Sequence, residues 1–180
     1  MRLARDGTML VSNLLINRAY PDELLNLYNP AYIGAVIYLS GCAYQSKVRS
    51  PMPIYFPFVA VPLVCVDACR ERLPEKVGKV TDWARQNADV LFDFPQRALA
   101  LKPFVSSGLV FLNSNGLVSK AQDASNFKFA SSKKLIVSLQ SLILSSEYVR
   151  NELDRATVAG RLLASNWDVS TVLTVFGLKP

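Results

Sequence analysis

The chain has 180 residues, 51% of them hydrophobic, with a net charge of +6 from 20 basic and 14 acidic side chains. A mean hydropathy of +0.21 and this length suit one folded domain with a sizeable core and exclude extended disorder. The sequence contains no histidine, which excludes serine–histidine and cysteine–histidine catalysis and removes the commonest transition-metal ligand.

Residues 1–21 read as an N-terminal arm of mixed charge without a sustained apolar stretch, so no signal peptide is expected. Residues 22–180 are expected to form a single helical domain. Asp22, after Pro21, is placed to cap a short helix running toward Tyr28. Asn29-Pro30 then punctuates the chain, because the residue before proline is driven out of the helical region. A second helix is predicted from there, with Gly34 and Gly41 allowing another helix to approach closely. Ser50 to Pro53 is predicted to be a loop.

The run from Ile54 to Arg72 is too long for a normal strand and predicts a buried helix from about Phe58. Pro74 is predicted to open the next helix, with Val77, Val80, Trp83 and Ala84 on its apolar face and Asn87 at its end. Ala98, Leu101, Val105, Leu109 and Leu112 recur at helical spacing, which predicts a helix over 93–113 that Pro103 bends or divides. Gly116 suits a left-handed cap. Leu117-Val118 and Phe127 to Phe129 predict a hairpin over 117–130. Further helices are expected over 134–144, 147–165 and 170–176. The fold class is therefore mainly α with a small β-hairpin. Helices, hairpin and a further helix in this order make a winged-helix-like arrangement with the hairpin as its wing.

The chemical inventory is sparse. Cys42, Cys65 and Cys69 form no CxxC pair, and three thiols without histidine make a poor zinc site, so reduced thiols are expected. The eight glycines are too widely spaced for a Walker loop or a dinucleotide fingerprint. No cofactor or metal is expected. Asp67 with Glu71, and Asp89 with Asp93, stand at i,i+4, a spacing that serves a divalent cation or merely decorates a helix surface. The apolar runs at 31–39 and 54–66 are too short to span a bilayer. A cytoplasmic protein is expected.

The ordered landmarks carry a resemblance. They are Asn29-Pro30-Ala31, Pro62-Leu63-Val64, the Arg70…Leu73-Pro74 turn and Trp83…Asn87. Arg97-Ala98…Leu101…Pro103, Leu109…Phe111-Leu112, Gly116-Leu117 and the tail Thr171-Val172…Phe176-Gly177-Leu178-Lys179-Pro180 complete the series. Over about residues 22–180 the chain resembles the middle component of prokaryotic three-component ABC systems, which include the accessory subunit of Lamassu anti-phage defence. It departs where that pattern tends to have Gly-Arg-Trp-Phe-Ala, having Gly160-Arg161-Leu162-Leu163-Ala164 instead. The resemblance implies a non-catalytic subunit that bridges an SMC-like ABC ATPase and an effector, often a nuclease, and helps hold the effector silent until invading DNA is detected.

Three readings follow. An adaptor would use apolar docking positions, for which Phe58, Leu63, Trp167, Phe176 and Leu178 are the candidates. The runs 54–73 and 156–180 are its expected docking elements. Contact with DNA or an acidic partner would use Arg70, Arg72, Lys120, Lys128, Lys133 and Lys134. A stand-alone winged-helix DNA-binding regulator is the second reading, although its best recognition helix is largely apolar after Lys102. A metal-dependent hydrolase built on the four acids is the third.

Overall fold

The computed structural model describes residues 29–130, 147–166 and 168–179. The expected arm, the helix ending near Tyr28 and the helix over 134–144 lie outside the described residues.

The first described helix, α1 (Pro30–Val48), is central. Asn29 caps it by accepting the Tyr32 amide at 2.8 Å, and Pro30 opens it without losing a needed donor. Six consecutive residues, Ile33 to Tyr38, are buried, so α1 is enclosed by other elements rather than lying on one of them. It packs on α7 (Glu147–Leu163), α6 (Phe94–Ser114) and α2 (Pro57–Cys65). Small residues set two of these seams. A Cβ at Gly108 on α6 would stand 3.0 Å from the Gly34 amide nitrogen, and one at Gly160 on α7 would overlap the Ser40 backbone. Ser40 Oγ donates to Val36 O at 2.8 Å and Ala156 O at 3.0 Å, tying α1 to α7 at that close approach.

The Ser50 to Pro53 stretch is not only a loop: it contains β1 (Met52–Pro53). A three-stranded antiparallel sheet forms with β2 (Val118–Lys120) and β3 (Asn126–Phe129), in the order β1-β3-β2. Met52 pairs with Phe127, and Val118 pairs with Phe129. Pro53 is tolerated because β1 is an edge strand, where a missing amide leaves no ladder bond unmade. The hairpin itself matches the sequence expectation, as does Gly116 at φ +67° ending α6.

α2 follows β1 with Pro57 buried in its first turn, and α3 (Asp67–Arg70) continues it after a break at Val66. The next helix begins later than expected. α4 runs Val80–Gln86, because Ser165 Oγ takes the Val80 amide at 2.8 Å and fixes the start there, while 74–79 remains irregular. Asn87 ends it as expected, and α5 (Ala88–Leu91) leads into α6. Pro103 does not divide α6. It sits on the solvent side of the helix, at an exposed position.

α8 (Val169–Val175) is capped by Asp168, which accepts the Thr171 amide at 3.1 Å. Phe176 closes the fold. Its ring lies 4.8 Å from that of Phe94 and 6.1 Å from that of Trp83, joining α8 to α6 and α4. The molecule is thus mainly helical with a small sheet at one end of α6.

Candidate docking surfaces and the buried charge cluster

The positions predicted to meet a partner divide sharply by exposure. Leu63 is 0% exposed and Phe176 1%, so both belong to the core and neither presents a contact surface. Phe58 and Leu178 are half-buried and pack against the core edge. Trp167 lies outside the described residues. Burial of α2 on nearly every side makes residues 57–65 structural, which corrects the expectation that this part of the 54–73 run docks a partner, whereas Tyr55 just before it is exposed.

Among the predicted charge contacts, Arg70 is also interior, at 6% exposure. Its guanidinium donates to Glu152 Oε1 at 2.6 Å, to Asp67 Oδ1 at 2.5 Å and to the Val64 carbonyl at 3.1 Å. Tyr32 donates its hydroxyl to the other Glu152 oxygen. This corrects Arg70 from a surface contact to the centre of a cluster joining α3, α7 and α1. Burial pushes the Glu152 carboxyl up to about 7. Glu152 was missed at the sequence level, although its place in the buried stripe with Ala156, Ala159 and Leu163 was a signal.

Arg72 is exposed and meets Asp89 at 3.5 Å. Lys120 and Lys128 are exposed on the hairpin and border an open groove of about 570 Å³ with Pro51 and Asp123. Lys133 and Lys134 lie outside the described residues. The four acids considered for metal chemistry are largely engaged elsewhere: Asp67 on Arg70, Asp89 on Arg72, and Asp93 on Arg97 at 2.9 Å. Among the described residues no group of three or more acids or thiols is placed to hold a metal. No described helix is long and apolar enough to cross a membrane.

The cysteines are free thiols. Burial pushes Cys65 up to about 12 and raises Cys42 and Cys69, keeping all three in the weakly reactive protonated form.

Exposed apolar surface lies where sequence reasoning did not look. Among the described residues, the large exposed apolar side chains are Tyr55, Phe92, Leu99 and Val110, with Phe92 91% exposed. Phe92 borders a shallow groove between α4, α5 and the end of α8, lined also by Ala84, Leu91 and Val175. Val110 borders another between α6 and the hairpin, of about 530 Å³.

This geometry offers surfaces for contact, and comparison with known proteins supplies the context. A family model described as ABC-three component (ABC-3C) system Middle Component 3 matches residues 17–180. The chain belongs to that family. No curated protein and no solved structure matches it. The match embraces every described element of this ABC-3C middle component, from the Asn29 cap to the α8 tail. As one component of a three-component system, it works with other components.

Proposed function

We propose that this middle component is a non-catalytic adaptor bridging an SMC-like ABC ATPase and an effector component, often a nuclease, in a cytoplasmic anti-phage or anti-plasmid defence complex of the Lamassu kind. Family membership over residues 17–180 is the observation that carries this reading. Separate apolar grooves near the two ends of α6 support it, since a bridge needs more than one contact surface. The element order also supports a winged-helix-like core: helix, strand, helix, then, after the three short helices α3 to α5, α6 and the hairpin, with the first strand pairing with the last.

Co-expression of the chain with the other two components of its own system tests the proposal. A stable ternary assembly that loses its ATPase–effector association when this chain is omitted is the expected result. ATPase and effector that associate equally well without it would end the bridging role. A turnover measured with the purified single chain would end the non-catalytic one.

Non-specific DNA contact through Lys120 and Lys128 is a secondary part of the reading, favoured by their exposure on the hairpin. It predicts weak, sequence-indifferent duplex binding that falls steeply with salt. Sequence-selective binding by the isolated chain would instead favour a stand-alone regulator.

A further inference from the structure

The outward face of α6 combines three features that belong together. First, Leu99 and Val110 are 70% and 66% exposed. They stand eleven residues apart, three helical turns, and so share one face about 16 Å apart along the axis. Pro103 and Ser106 lie between them and are exposed too. Second, the Val110 end opens into the groove against the hairpin, where Leu109, Val118 and Phe127 supply an apolar floor and Lys120 the rim. Third, the face is positive. No acidic residue occurs between Asp93 and Asp123. Lys102 on α6 and Lys120 on the groove rim are exposed. Neither lysine forms an ion pair with a described residue, whereas Arg72, Arg85 and Arg97 are each matched by an aspartate.

We infer that this face of α6 and the adjoining hairpin groove are the seat for an acidic amphipathic helix of a partner component. The inference rests on the adaptor reading and names the surface and the chemistry that reading leaves open. An apolar stripe on the incoming helix covers Leu99 and Val110 and reaches the groove, and carboxylates on its flanks meet the lysines. Charge decides against a second copy, because a two-fold contact through this face would set its lysines against one another. The apolar stripe decides against DNA as the occupant of this face, although the lysines at its margin are able to meet phosphates. Leu99, Pro103 and Val110 have nothing to offer base edges or phosphates, and the hydroxyls of Ser106 and Ser107 already donate to the Lys102 and Pro103 carbonyls at 3.0 and 3.1 Å.

The experiment measures affinity of the full-length chain for the purified ABC component and the purified effector of its own system. Wild type binds one of them with an affinity that falls as salt rises. Leu99→Ser with Val110→Ser weakens that binding about 30-fold. Lys102→Glu with Lys120→Glu weakens it about tenfold and flattens its salt dependence. Circular dichroism checks the fold, and Leu99→Ala with Val110→Ala reads the same loss should the serine variant unfold. Folded variants that bind as wild type does would overturn this assignment and leave the adaptor reading standing. Wild type that binds neither component would overturn the adaptor reading, and this surface with it. Self-association lost in the Leu99 and Val110 variants, or binding of a 20-base-pair duplex that depends on those two side chains, would replace the helix with a second copy or with DNA.

Discussion

α2 and α6 pack on one another and are both rich in apolar residues, but they divide their surfaces differently. α2 is buried at every position except Phe58, which is itself half-buried. α6 buries a stripe through Phe94, Ala98, Leu101, Phe104, Val105, Gly108 and Leu112, then turns Leu99 and Val110 to solvent. The more hydrophobic segment is therefore the interior one, and the available contact surface lies on the helix whose composition is more mixed. Hydropathy measures how much a segment gains from leaving water; it does not say whether the neighbour it finds belongs to the same chain. The charges divide in the same way. Arg70 is enclosed with Glu152, whereas the lysines around α6 and the hairpin remain open.

The largest effect is expected at the enclosed charge. Arg70→Met leaves the Glu152 carboxyl buried without its cation, at a cost of about 3–5 kcal/mol in urea unfolding. Combining it with Glu152→Leu should restore much of that loss, because the paired charges were desolvated together. A single-variant cost below about 1 kcal/mol, the range of exposed pairs, would show that water reaches the cluster. Next comes Leu63→Ala in α2, expected to cost about 2–5 kcal/mol through lost burial and the cavity left behind. A loss near zero would place α2 at the surface and erase the contrast with α6.

Gly160→Val probes the seam that encloses α1. A Cβ there would lie 2.8 and 2.9 Å from the Ser40 carbonyl carbon and Cα, atoms of a helix backbone that cannot swing aside. The expected destabilisation is about 1–3 kcal/mol. Gly78, where a Cβ would meet nothing within 4 Å, supplies the control: Gly78→Ala should leave the thermal midpoint nearly unchanged. Equal melting of the two variants would mean that α1 and α7 are not in close contact at Ser40.

Much of this arrangement was legible because it is written locally. The Asn29-Pro30 start of α1, the Gly116 stop after α6 and the alternation around Phe127 are decided by neighbouring residues. What escaped was decided at a distance. β1 is two residues long and exists only because β3 lies beside it. The start of α4 is set by a hydroxyl 85 residues further on. Arg70 reads as a surface charge until Glu152, 82 residues away, is brought against it. The exposed face of α6 was hidden for another reason. Both of its sides carry apolar residues, so spacing identified a helix but did not single out the outward stripe.

The smallest stability effect belongs to that stripe, and it is the most discriminating. Leu99→Ser with Val110→Ser should change the unfolding free energy by no more than about 0.5 kcal/mol per site, the usual range for exposed positions without special contacts. If the side chains rested on the body of the protein, their truncation would cost several times more, as at Leu63. Near-neutral stability would therefore mark Leu99 and Val110 as side chains that the fold itself does not need. The isolated chain should also become more soluble, since the change removes exposed apolar surface without touching the core. Unfolding curves that coincide with wild type, alongside a raised solubility limit, would separate this face from α2 on energetic grounds alone. A loss comparable to Leu63→Ala would instead make α6 a second core helix whose outer covering lies within the same chain.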